Sequence, residues 1–180
     1  MSHSEHSRVQ GNNTSQRAGR ALLGWSLAIV AWLAPTGTQA SENDRTIEPA
    51  IRRGIATASA IRLRSGFAIA LRQVRELPEC HALFESLKAD PEKLLGETEY
   101  LPATSDLEKS YCNRRAVAMT SVGQPVTWLC QIFSGLTAHQ AAIVVIHEAL
   151  HVGGLPERPR TVDAMTSAEI NALVTRSCRP

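Results

Sequence analysis

Apolar positions follow one another from Ala141 to Ile146 without a polar break. Such a run predicts a helix that is apolar nearly all round and therefore buried in the centre of its domain. Just before it, Thr137-Ala138-His139-Gln140 forms a capping box, so the helix is expected to begin at Ala138. It should end at Gly153 or Gly154, because glycine accepts the left-handed conformation that closes many helices. His147, Glu148 and His151 fall inside the same helix, directly after the apolar run.

The rest of the chain is organised around this element. From Ile51 to Leu77 apolar residues recur at spacings of three and four among arginines, which predicts one or two amphipathic helices with Gly66 as the break between them. The arginines of this stretch, Arg52 to Arg75, read as a solvated face. Glu79 to Ala89 reads as a short helix stopped by Asp90-Pro91. Pro91 to Ser110, with Gly96 and Pro102 inside it, reads as loop with at most a helical turn around Leu94.

β character begins at Arg115. Arg115 to Ser121 and Val126 to Leu129, joined by Gly123-Gln124-Pro125, predict one β-hairpin. A closing helix is expected from Ser167 to Arg176, with Thr166 as N-cap, Glu169 as the reciprocal capping residue and Met165 with Ile170 as a hydrophobic staple. The chain carries no internal repeat. These elements add up to a small α+β domain, mostly helical, with one hairpin.

The first forty residues differ in kind. Arg8, Arg17 and Arg20 precede an apolar run from Ala21 to Leu33, followed by Pro35 and Thr38-Gln39-Ala40. A basic start, a short apolar middle and a small-x-small end make a secretory signal peptide over residues 1–40, leaving a domain over residues 41–180. The run is shorter than the roughly 20 residues that span a bilayer, so no stable membrane insertion is expected after cleavage. The protein would then act in the periplasm or outside the cell.

Without those forty residues, 16 basic residues stand against 16 acidic ones. A balance so near neutrality argues against nucleic acid as a partner. Cys80, Cys112, Cys130 and Cys178 all lie in the remaining domain, and no CxxC pair is present. An even count in an exported domain points to two disulfides rather than a structural zinc site. Cys112 and Cys130 flank the expected hairpin, so they are expected to pair, leaving Cys80 for Cys178 near the terminus.

One helical turn separates His147 from His151, which puts both imidazoles on one face where they can share a metal ion. Zinc binds such nitrogens at about 2.0 to 2.1 Å and keeps a position for water when only three protein ligands are present. Glu148 is rotated by about 100° from His147, free to act as a general base toward an attacking water.

The stretch HEALHVGGLPE, His147 to Glu157, resembles the zincin metallopeptidases. The wider segment through Thr166-Ser167-Ala168-Glu169-Ile170 to Cys178 is similar to small, uncharacterised exported bacterial HExxH proteins. In the metzincin branch the motif runs on as HExxHxxGxxH; Gly154 matches its glycine and Glu157 takes the place of the last histidine. The gluzincin branch draws its glutamate from a later helix, for which Glu169 is the candidate. The resemblance thus implies His147, His151 and Glu157 as metal ligands, Glu169 as the alternative third ligand with Asp163 behind it, and Glu148 as the catalytic base. Met165 can be set against the metzincin methionine turn, although the staple explains it.

The same resemblance implies a zincin-like fold, a strand of the hairpin open to an extended peptide, and an oxyanion donor among Tyr100, Tyr111, His81 and His139. It implies a secreted zinc-dependent hydrolase acting on a peptide or protein substrate, or on another amide such as a peptidoglycan stem peptide. The alternative is a non-catalytic metal-binding or interaction domain that keeps the helix.

Overall fold

The computed structural model describes residues 46–112, 116–158 and 163–179. The expected signal peptide lies outside the described residues. In chain order the elements are β1 (Ala50–Ile51), α1 (Thr57–Glu76), α2 (Pro78–Glu85), α3 (Pro91–Glu97), β2 (Glu99–Pro102), α4 (Asp106–Cys112), β3 (Ala118–Thr120), β4 (Val126–Leu129), a 3-10 turn (Gln131–Gly135), α5 (Ala138–Val152) and α6 (Ser167–Ser177). The fold is α+β and mostly helical. A small sheet of order β1-β2-β4-β3 is parallel except for the antiparallel pair of β3 with β4.

The apolar helix expected from Ala141 is α5, and it begins and ends where its caps place it. Thr137 accepts from the Gln140 amide while the Gln140 side chain accepts from the Thr137 amide. At the other end the Leu155 amide reaches the Leu150 carbonyl and the Gly154 amide reaches the His151 carbonyl, with Gly154 at φ 103°. This double closure satisfies two of the carbonyls a helix leaves without partners. Ala141, Ala142, Val145, Ile146, Ala149 and Leu150 are all buried in the common core.

Of the one or two helices expected between Ile51 and Leu77 the structure has one, and Gly66 does not break it. α1 runs without interruption from Thr57 to Glu76, and Gly66 lies on its buried face. The glycine serves close packing instead: a Cβ built there would stand 2.6 Å from the Cβ of Ala141 and 2.9 Å from its carbonyl carbon. Backbone atoms cannot give way as side chains can, so any larger residue forces α1 and α5 apart. Overpacking of this kind costs about 1–3 kcal/mol, whereas Gly→Ala in a helix recovers about 1 kcal/mol of propensity. Gly66→Val, which recovers less, is expected to lower the urea midpoint more than Gly66→Ala. A rise in both midpoints would contradict this packing.

The expected loop from Pro91 to Ser110 also needs correction, because it contains three elements. Asp90 caps α3 by accepting from the Glu92 and Lys93 amides, with Pro91 in the first turn, so the proline starts a helix; the helix expected to run to Ala89 and stop there ends earlier, at Glu85, with Lys88 at φ 55°. β2 pairs on both sides, with β1 and with β4, both far away in sequence. Ser105 and Glu108 form a capping box for α4, the glutamate accepting from the Thr104 and Ser105 amides. Farther upstream, Ala50 and Ile51 form a strand, and the helix starts only at Thr57.

The hairpin is β3–β4, and its turn is tied to α5 by the Gly123 amide, which donates to the His151 carbonyl at 2.9 Å. Both expected disulfides are present: Cys80 pairs with Cys178, and Cys112 with Cys130. No helix among the described residues is long and apolar enough to cross a membrane.

Candidate metal centre

His147 and His151 stand on one face of α5, both buried, with their Nε2 atoms 3.0 Å apart. The Glu157 carboxylate completes the group, its Oε2 lying 3.0 Å from His151 Nε2 and 3.9 Å from His147 Nε2. Glu157 reaches this point because the left-handed turn at Gly154 reverses the chain. Its backbone then bridges to Met165, and the Arg158 amide donates to the Met165 carbonyl. Met165 therefore helps hold the ligand loop in place.

Hydrogen bonds on the far side of each ring decide what the facing atoms can do. His147 Nδ1 lies 2.8 Å from Asn171 Oδ1, and His151 Nδ1 lies 2.7 Å from the Leu155 carbonyl. Both partners accept, so each Nδ1 carries the proton and, in a neutral ring, each Nε2 presents a lone pair. Two lone pairs and a carboxylate oxygen then face one another in a buried place. The arrangement is repulsive unless a proton or a cation stands between them. Three donors around a tetrahedral ion with bonds of 2.0–2.1 Å lie about 3.3 Å apart, and the observed separations bracket that value. The donors therefore fit a metal ion, and His147, His151 and Glu157 together could hold one.

The charges agree with this picture. Burial of the His147 ring opposes its protonation, but Glu157, Glu148 and Asn171 outweigh it and leave the proton affinity above that of a free imidazole. The facing His147 ring lowers the Glu157 carboxyl below its usual range; partial burial opposes this, and the charges of both rings and the Ser167 hydroxyl add to it. Burial pushes Glu148 up, against the charges of His147 and His151 and the hydroxyl of Thr120.

Glu148 is only 6% exposed, and its Oε2 has no hydrogen-bond partner among the described residues. It lines a cavity of about 480 Å³ together with the three candidate ligands. One wall of the cavity is β3 with the residues before it. Among the described residues β3 stands at the end of the sheet, paired on one side only by β4. Arg158 and Ser167 lie on the opposite loop and helix and also line the cavity.

Of the four expected oxyanion donors, Tyr111 alone lines the cavity. Tyr100 is buried in the core, His81 lies on α2 against the Val74 carbonyl, and His139 is exposed in the first turn of α5. Glu169, the alternative ligand, is engaged in the capping box of α6, where it accepts from the Thr166 amide and hydroxyl. Asp163 is exposed and outside the group. Glu157→Ala is thus expected to abolish stoichiometric metal binding, while Glu169→Ala keeps it. Metal analysis after dialysis checks both, and the reverse pattern would transfer the ligand role to Glu169.

Asn171, Ser167, Thr120 and Arg158 were not expected from the sequence. Ser167 and Asn171 are four apart and so share a face of α6, but only the packing of α6 on α5 reveals what that face meets. No family model, curated protein or solved structure matches this chain.

Proposed function

We propose that this protein is an exported zinc metallopeptidase of the zincin type, hydrolysing peptide bonds. The observation that carries the reading is the buried meeting of two Nε2 lone pairs with the Glu157 carboxylate, beside a buried Glu148 oxygen that has no partner among the described residues. Two histidines and one carboxylate are a donor set suited to zinc, leaving room for a further ligand. When bound, zinc supplies Lewis acidity: it makes water acidic near neutral pH and polarises a carbonyl group.

The chain's own residues supply the rest. Asn171 and the Leu155 carbonyl fix the two ring tautomers and orientations. Glu148 Oε2 accepts a proton from the attacking water, and the resulting carboxylic acid hands it to the departing amine. The open side of β3 can pair with an extended peptide main chain, aligning its carbonyl along the cavity. Tyr111, which lines the cavity, is the candidate to donate to the oxygen on which negative charge develops. Two disulfides fit an oxidising, extracytoplasmic setting.

The test is metal analysis of the purified chain together with digestion of a mixed peptide library read by mass spectrometry. Bound zinc near one equivalent, cleavage lost on chelation and restored by zinc, is the expected result. Zinc without cleavage would favour the non-catalytic metal-binding domain, and a chain that takes up no metal would end both readings.

A further inference from the structure

The cavity beside the metal centre is uneven in charge. Val117, Met119, Val122 and Val144 bring apolar surface to it, and Glu148 and Glu157 bring carboxylates. Among the described residues that line it, Arg158 is the one arginine or lysine. The double charge of a zinc ion offsets both carboxylates, so with the metal bound the Arg158 charge is the one left for a ligand, whether or not Glu148 holds a proton.

Arg158 is also held in place. Its backbone amide donates to the Met165 carbonyl, beside the bridge of Glu157 with Met165, and its Nε donates to the Ala164 carbonyl. A guanidinium fixed through Nε keeps its two terminal nitrogens, a planar fork that matches the two oxygens of a carboxylate. Among the described residues no acid forms an ion pair with it. Glu169 feels its charge, but that carboxylate is held low first by the Thr166 amide and hydroxyl and is engaged in the cap of α6.

We infer that Arg158 is a specificity residue that receives a substrate carboxylate, so that the preferred peptides carry one, either at the free C-terminus or on an aspartate or glutamate side chain. This rests on the metallopeptidase reading and names the substrate class for it. The competing role of Arg158 is that of a brace: its bond to Ala164 closes the loop that carries Glu157, which supports the ligand without choosing a substrate.

Titration calorimetry with three probes separates the two roles. The probes are acetyl-trialanine with a free carboxyl end, the same peptide amidated, and the amidated peptide with glutamate as its last residue. They are titrated into the zinc-loaded full chain carrying Glu148→Gln, so that they stay whole, with and without Arg158→Gln. Without the second change, at least one carboxylate probe is expected to bind about 10-fold more tightly than the amidated trialanine, the contribution of a hydrogen-bonded charge. Arg158→Gln is expected to bring that ratio to about one. Preference for the free acid alone assigns Arg158 to a chain end, and preference for the glutamate peptide alone assigns it to an acidic side chain; preference for both makes it a receptor for either.

No measurable binding, no preference before Arg158→Gln, or a preference that survives it because the carboxylate seeks the metal would each overturn the inference. A mere brace gives the last of these or none at all, since its loss weakens all three probes alike and leaves their ratio standing. Were the parent chain to cleave nothing in the peptide library, the metallopeptidase reading alone would fall, and the ratio would still decide whether Arg158 receives a carboxylate. Cleavage by the parent with a ratio near one would strike the inference alone.

Discussion

Glu148→Gln is expected to leave zinc bound at the parent's stoichiometry and to cut peptide hydrolysis by about 10²- to 10⁴-fold, the range general acid–base groups contribute. The amide is nearly the same size as the carboxylate, so the cavity wall is preserved. What it lacks is the ability to take a proton from water. The metal should stay because its donors are His147, His151 and Glu157, whose Nε2 and Oε2 atoms meet without any contribution from Glu148. Stability should hold or rise, because Glu148 is a buried carboxylate whose charged form burial disfavours and the neutral amide escapes that cost. A chain more stable and less active after the same change is the pattern of a site where function was kept at the expense of stability. Full activity in Glu148→Gln would remove Glu148 from the reaction, and loss of zinc would instead make it part of the donor set.

The parts of this site that are local in sequence were legible in it. Both capping boxes, at Thr137 and at Thr166, and the closing turn at Gly154 depend on residues within a few positions of one another, and the structure has all three. The helical repeat alone brings His147 and His151 together. Glu157 was reachable through the resemblance of His147 to Glu157 to the extended zincin motif, in which the glycine matched by Gly154 lets the chain double back to a third ligand.

What was not legible depends on contacts between distant segments. β2 is four residues long and is stabilised by partners at Ala50–Ile51 and Val126–Leu129, so nothing within Glu99–Pro102 announces a strand. Gly66 looked like a break because glycine is a poor helix former; the approach of Ala141, far along the chain, is its reason for being there. Asn171 is an ordinary polar position until α6 is laid against α5. Ser105 and Glu108 are different: their capping pattern is local, and the helix they start was open to prediction.

Removing the Cys80–Cys178 disulfide, as the double variant Cys80→Ala, Cys178→Ala, is expected to cost about 4–5 kcal/mol on the loop-entropy argument, the largest stability loss of any change considered. The bond closes a loop with a sequence separation of 98, against 18 for Cys112–Cys130. On the same argument the shorter loop is worth about 3 kcal/mol, so its removal should shift the urea midpoint less. The longer bond also has a functional consequence. It ties the first turn of α2 to the end of α6, and both cysteines are buried in the core. α6 in turn presents Asn171 to His147 and the Ser167 hydroxyl to Glu157.

Loosening the far end of α6 should therefore reach the metal centre through these two contacts. Weaker zinc binding is expected from the Cys80, Cys178 double variant, by about 10- to 100-fold, as for loss of groups that orient metal ligands. The Cys112, Cys130 double variant should bind zinc nearly as the parent does, since neither cysteine is on an element that holds a ligand. Equilibrium urea curves and competition with a chelating dye measure the two effects on the same samples. Should both variants lose equal stability, loop length would not be what governs these bonds. Should zinc affinity survive the loss of Cys80–Cys178 intact, α6 would be held against α5 by its own buried face, Ile170 and Val174, and the disulfide would serve the fold alone.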